Sequence, residues 1–254
     1  MKKVLEVNNL TKTFKGKDKQ KFTAVSNIDF CLYEGECLGI IGESGSGKST
    51  TVNMITRLID PTDGTITIDG EDITHIKGKA LRSLYKKLQM VFQSPIESFD
   101  PRCTLGDGIA ESLRNNGLSK KEANQVVVKV LKQCGLDETF MGRYPHEVSG
   151  GQCQRAAIAR ALAVGPSVLI CDEATSALDV TIQKEIIDLL QSLRASQGKK
   201  LSILFICHDV ALVQNFCDRV LVMHDGEIVE QGIPDEIIMH PQNDYTKRLI
   251  ESVL

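Results

Sequence analysis

The eight residues from Gly42 to Ser49, GESGSGKS, fit the pattern G-x-x-x-x-G-K-[ST] and directly follow an apolar run, Cys37 to Ile41, that reads as a buried strand. This order constrains the fold more than any other stretch. The glycines Gly42, Gly45 and Gly47 let successive backbone N–H groups turn inward around phosphate oxygens, where side chains would block the approach. Glu43, Ser44 and Ser46 complete the loop. Lys48 adds a mobile point charge, and Ser49 can place its hydroxyl on Mg²⁺. A helix expected from Thr50 to Leu58 aims its positive end at the anion. A chain with this loop between strand and helix binds a nucleoside triphosphate.

A length of 254 residues suits one large domain or two small ones. With 30 basic and 33 acidic residues the net charge is −3, which lacks the electrostatic footprint of a strong nucleic-acid binder. The basic cluster Lys77, Lys79, Arg82, Lys86 and Lys87 reads as a solvated face. The apolar stretch near Leu201 to Cys207 is far shorter than the ~20 residues of a membrane helix. The start MKKVLEVNNL lacks the sustained apolar region of a secretory signal, so a cytoplasmic location is expected. Eight scattered cysteines without a C-x-x-C pair read as thiols in a reducing compartment, several of them buried.

Strands are expected at Val4 to Val7 and at Ala24 to Leu32, where Val25, Ile28, Phe30 and Leu32 favour one face, followed by a Glu34-Gly35 turn. Gly64 to Gly70 reads as a strand closing in an Asp-Gly turn, and Leu88 to Phe92 as a strand apolar enough to be central. From Ser94 to about Ala161 apolar residues recur at helical spacing, which marks a helical insertion. Within it Ser119 and Glu122 form a capping box, Val126, Val127, Val130 and Leu131 a buried stripe, and Gly135 a helix stop. After Gly165-Pro166 strand and helix alternate again: strand Val168 to Cys171, helix Thr181 to Ser196 ended by Gly198, strand Leu201 to Ile206. A helix near Asp209 to Phe216 and a hairpin across Asp225-Gly226 follow. The class is α/β with a mostly parallel sheet.

Val168 to Glu173 is an apolar strand whose carboxyl end delivers two adjacent carboxylates, the place where open α/β sheets put ligand chemistry. Successive strand residues point to opposite sides, so Asp172 is expected to serve the Mg²⁺ hydration shell and Glu173 to polarise water. Between these motifs, Val148 to Arg155 sets small residues before a helix expected to run through Ala163, a second set of free N–H donors.

These residues together resemble the ATP-binding subunits of ABC transporters over nearly the whole chain. The phosphate loop, Gln93 of the Q-loop, the signature Ser149-Gly150-Gly151-Gln152, Asp172 and Glu173 of Walker B, Ser176 to Asp179 of the D-loop and His208 of the switch agree in order and spacing. The resemblance implies a P-loop NTPase of ABC-cassette type. Its ATP-binding core, with an antiparallel β subdomain, would comprise 1–93 and 162–254, and its helical signature subdomain 94–161. It implies ATP and Mg²⁺ as cofactors, and a head-to-tail dimer in which Ser149 and Gly151 of one cassette reach the γ-phosphate held by Lys48 of another. Glu173 would be the general base, His208 would position γ-phosphate and water, and Gln93 would sense Mg²⁺ and the membrane partner. Phe14 is assigned to stack on adenine, with Phe22 as competitor.

Phe92 to Arg102, and His240-Pro241 followed by Tyr245-Thr246-Lys247, resemble importers of dipeptides, oligopeptides and nickel. Val148 in place of leucine, Ala174 in place of proline, and Gln242 to Asp244 interrupting the His-Pro-Tyr-Thr run depart from the pattern. The sequence runs eight residues past Thr246, so the cysteine-containing extension of many members, and an iron–sulfur cluster in it, are not expected. The implied partners are a second cassette, two transmembrane permease subunits and, indirectly, a solute-binding protein, with the chain peripheral on the cytoplasmic face of the membrane. A soluble ABC-type ATPase of nucleic acid or ribosomes would carry long coiled-coil or zinc-bearing insertions or two cassettes, none of which is present. A mainly regulatory nucleotide-binding subunit is opposed by the intact Lys48, Glu173 and His208.

Overall fold

The computed structural model describes residues 1–16, 20–174, 179–195 and 201–252. In chain order the strands and helices are β1 (Lys3–Lys15), β2 (Lys21–Tyr33), β3 (Cys37–Ile41), α1 (Lys48–Ile55), β4 (Asp63–Ile68), β5 (Glu71–Asp72), α2 (Gly78–Lys87) and β6 (Leu88–Val91). Then come α3 (Leu105–Asn115), α4 (Lys120–Gln133), α5 (Gly150–Leu162), β7 (Val168–Asp172), α6 (Val180–Ala195), β8 (Ser202–Ile206), α7 (Val210–Phe216), β9 (Arg219–His224), β10 (Glu227–Gly232), α8 (Pro234–Met239) and α9 (Asp244–Glu251). Of the expected features, Ser176 to Leu178 of the D-loop and the helix end at Ser196 to Gly198 lie outside the described residues.

The central sheet has the order β10-β9-β3-β8-β7-β6, parallel throughout except for the β9–β10 hairpin. Alternation along its buried strands splits the core into two layers. Leu169 and Cys171 of β7 face a cluster built with α3 to α6, whereas Val168 and Ile170 face a cluster built with α1 and the four-stranded sheet β2-β1-β4-β5. The parallel strands are therefore apolar on both faces, which is why they read as unbroken runs. Both Asp-Gly turns have two residues at positive φ, Asp69 and Gly70, and Asp225 and Gly226, as the type I′ form of a two-residue hairpin loop requires.

Val25, Ile28, Phe30 and Leu32 are all buried, although the step from 25 to 28 breaks a period of two. Asn9 and Asn27, both at positive φ, lie where the β1–β2 register shifts, and this irregularity returns Val25 to the inner face. The strand expected to be central, Leu88 to Phe92, is instead the sheet edge, β6, and ends at Val91. Leu88 and Val91 are buried on opposite faces while Gln89 and Met90 are only half-buried. A short apolar run registers covered faces and carries no information about a free edge.

The insertion between β6 and β7 is helical from Leu105 onward. Residues 94–104 form turns, fastened to α5 by Arg160, whose guanidinium donates to the Ser98 carbonyl and hydroxyl and lies 4.2 Å from the Phe99 ring. The capping box of α4 is present: Ser119 Oγ accepts from Glu122 N, and Glu122 accepts from Ser119 N. Ala123, Val127, Val130 and Leu131 form its buried stripe, with Val126 half-buried, and Gly135 follows the helix at φ +72°. Ser119→Ala is expected to lower stability by about 1 kcal/mol, read as a shift of the urea midpoint at unchanged slope.

Candidate active site

The site lies where β3, β7 and β8 end side by side at Ile41, Asp172 and Ile206. The chain leaves β3 at Gly42, turns through Gly47 and enters α1 at Lys48, two residues before the expected start. Lys48 and Ser49 thus belong to the first turn, and the helix closes at Ile55 rather than Leu58. The loop is wedged between the β9–β10 hairpin and β2. A Cβ on Gly42 would lie 2.2 Å from the Met223 carbonyl oxygen, and one on Gly47 2.6 Å from that of Ala24. The Gly226 amide donates to the Ser46 carbonyl at 3.0 Å, holding the hairpin against the loop.

Lys48 is only 4% exposed, and its ammonium donates to the carbonyls of Gly42 at 2.6 Å and Glu43 at 2.7 Å. Burial lowers its pKa, opposed by the nearby carboxylates Glu173, Asp172 and Glu43. Burial likewise raises the pKa of Asp172, helped by Glu173 and opposed by Lys48 and His208. The Asp172 Oδ1 is buried with no hydrogen-bond partner among the described residues. A carboxylate oxygen held dry beside a lysine fits a cation ligand or a bridging water.

Glu173 corrects the expected strand alternation. β7 ends at Asp172, and Glu173 lies beyond it at φ +49°, its amide donating to the Ile206 carbonyl at 3.1 Å. This left-handed residue, rather than the strand pleat, is what accompanies the contact of its Oε1 with His208 Nε2. The other ring nitrogen, His208 Nδ1, is 3.2 Å from the Gly42 carbonyl. Glu173, His208 and the first peptide of the phosphate loop therefore form one connected group.

The signature turn stands at the start of α5. Ser149 is the N-cap, its Oγ accepting from Gln152 N at 3.3 Å while Gln152 Oε1 accepts from Ser149 N at 3.0 Å. Ser149 is exposed, Gly150 half-buried and Gly151 buried against Ile182 of α6, whose Cγ2 is 2.7 Å from the position of an added Cβ. Asp179 Oδ1 accepts from Ile182 N at 3.0 Å and so caps α6. Gln93 lies two residues past β6 and is exposed, as is Ser49, while Thr50 is half-buried; Glu43, Ser44 and Gly45 form the exposed tip of the loop. Phe14 and Phe22 face each other across the β1–β2 ladder, 40% and 64% exposed, so neither is a core side chain and the ladder does not choose between them. Lys12 Nζ lies 5.1 Å from the Phe14 ring centroid.

Two supports of the site carry no signal that singles them out in the sequence. Gln154, fully buried on α5, donates to the Ala174 carbonyl at 2.6 Å, next to Glu173. Tyr245 of α9 accepts the Glu43 amide on its hydroxyl at 3.0 Å. Its place in the sequence shows only the subfamily pattern.

Residues 25–176 match the family described as ABC transporter. The chain belongs to the ABC transporter family. Its fold is that of an ABC ATPase cassette, which binds and hydrolyses ATP. The oligopeptide transport ATP-binding protein OppF of Streptococcus mutans is 46% identical over 255 residues, covering 99% of this chain and 82% of that protein. The dipeptide transport ATP-binding protein DppF of Lactococcus lactis is 43% identical over 256 residues, covering 99% and 81%. Among solved structures, the dimeric post-hydrolysis state of the ATP-binding cassette MJ0796 bound to ADP and Pi matches with a TM-score of 0.81 at 32% identity. It covers 91% of this chain and 98% of that one.

Proposed function

We propose that this ABC cassette energises an importer of dipeptides or oligopeptides, with Glu173 as general base, His208 positioning the γ-phosphate and attacking water, and Lys48 holding the β- and γ-phosphates. The observation that carries the reading is the connected group of Glu173, His208 and the Gly42 carbonyl at the strand ends. In the proposed cycle Glu173 takes a proton from water as the water attacks the γ-phosphorus and the bond to the leaving ADP oxygen breaks. His208 keeps the water and phosphate in line. The loop residues Gly42 to Thr50 bind the phosphates, and Phe14 or Phe22 stacks on the adenine.

Mg²⁺ would be held by Ser49 and Gln93, with Asp172 acting on its hydration shell; the buried Asp172 Oδ1, which has no partner among the described residues, supports this assignment. The ion would neutralise charge building on the phosphate oxygens. The exposed Ser149 and the Gly150 to Gln152 turn would close on the nucleotide of a second cassette, with Asp179 near the same seam. A division into a core of 1–93 and 162–254 and a helical signature subdomain of 94–161 accords with α3, α4 and α5 lying between β6 and β7. Among the described residues no helix is long and apolar enough to cross a membrane, which suits attachment to the cytoplasmic face through separate permease subunits. Peptide is preferred to nickel as cargo because the relatives above are named for peptide transport.

Purification of Glu173→Gln in mild detergent with ATP, followed by mass spectrometry, tests the partners. Two membrane subunits, a second cassette and a peptide-binding protein are expected. A nickel-binding protein would change the cargo, and ribosomes or nucleic acid without membrane subunits would overturn the importer reading.

A further inference from the structure

The peptide unit between Gly42 and Glu43 is gripped at both ends. Its carbonyl oxygen accepts from Lys48 Nζ at 2.6 Å and faces His208 Nδ1 at 3.2 Å, and its N–H donates to the Tyr245 hydroxyl at 3.0 Å. A peptide group is rigid and planar, so fixing the N–H direction fixes the carbonyl direction on its far side. Tyr245 therefore sets the direction of the oxygen that both Lys48 and His208 meet.

The hydroxyl can do this because α9 is itself fastened. Asn243 caps it by accepting from Tyr245 N at 2.8 Å, and the Glu230 carboxylate accepts from the amides of Gln242 and Asn243 at 2.8 and 3.1 Å. Tyr245, Thr246, Leu249 and Ile250 are buried along one side of the helix. The Tyr245 ring stacks on His224 with centroids 3.8 Å apart and planes 17° apart. His224 follows Met223, the residue whose carbonyl presses on Gly42. Ring, strand end and loop thus share one rigid contact.

We propose that Tyr245 is a positioning residue for ATP hydrolysis: through the Gly42–Glu43 peptide its hydroxyl holds His208 and Lys48 in register with the phosphate loop. The proposal rests on the role of His208 given above. Tyr245 acts through another group, so its loss should lower kcat with little change in the KM for ATP.

The test compares wild type, Tyr245→Phe, His208→Ala and the double variant in the assembled transporter. Tyr245→Phe keeps the ring and its stack and deletes only the oxygen. Its kcat is expected to fall roughly three- to tenfold, the equivalent of one hydrogen bond, with the KM for ATP within about twofold. The loss in the double variant should fall well short of the product of the two single losses, because part of the Tyr245 effect runs through His208 and the remainder through Lys48. Wild-type kcat in Tyr245→Phe beside an impaired His208→Ala, or effects that multiply in full, overturns the proposal alone. Wild-type turnover in His208→Ala overturns the role of His208, and the proposal with it. Should Tyr245→Phe not fold, amide exchange of the wild-type protein decides. Protection of the Glu43 amide beyond those of Ser44 and Gly45 supports the proposal, and equal exchange overturns it.

Discussion

Glu173→Gln is expected to cut ATP turnover by about 100- to 10,000-fold, the range for removing a positioned general base, while nucleotide binding is retained. Glutamine fills the same volume, accepts the same backbone conformation at φ +49° and still offers an oxygen to His208, but it cannot take the proton from water. The substitution also removes a negative charge that helps raise the Asp172 pKa, so the Asp172 carboxyl ionises more readily in the variant. No loss of folding stability follows from that change. Phosphate release gives the turnover and equilibrium dialysis with labelled ATP gives the affinity. Turnover within a few-fold of wild type would assign the base elsewhere.

Gly42→Ala should be the most damaging single-methyl substitution in the phosphate loop. Its backbone sits at φ +149°, and the added carbon would lie 2.2 Å from a main-chain oxygen of β9 and 2.9 Å from Ser46 Oγ. Main chain cannot swing aside as a flexible side chain does, so loop and strand end must part, and Lys48 and His208 lose the carbonyl they share. A cost of roughly 3 kcal/mol or more is expected in denaturant unfolding, from strain and overpacking together, with ATP affinity lost alongside. Gly45→Ala is the control. It also has positive φ, +86°, but its Cβ would meet no described residue within 4 Å, so only the conformational cost of about 1–2 kcal/mol applies. Equal costs at the two positions would show that contact with β9 is unimportant.

The sequence displays most plainly what chemistry demands of residue type. Gly42, Lys48, Asp172 and Glu173 are legible because few other residues at that spacing suit phosphate binding and a general base, and the fold brings them to the ends of β3 and β7, on either side of β8. Where tertiary contacts decide, the reading stops. Leu88 to Val91 shows two covered faces but not that β6 is the sheet edge. The alternation used to orient Glu173 ends one residue too soon, because a left-handed residue has no signature in side-chain periodicity. The shift at Asn27 rescues an irregular apolar spacing that a plain strand could not bury. Tyr245 reaches Glu43 across about 200 positions of chain, a distance over which no local pattern speaks.

Whether Glu173 drives peptide import is read from ATP hydrolysis and peptide uptake followed together in proteoliposomes containing the assembled transporter, with wild-type chain or with Glu173→Gln. Peptide uptake is expected to require ATP, with hydrolysis and uptake both falling at least about 100-fold in the variant. Undiminished uptake with Glu173→Gln, or hydrolysis by the wild type with no accompanying peptide uptake, would contradict peptide import driven by Glu173.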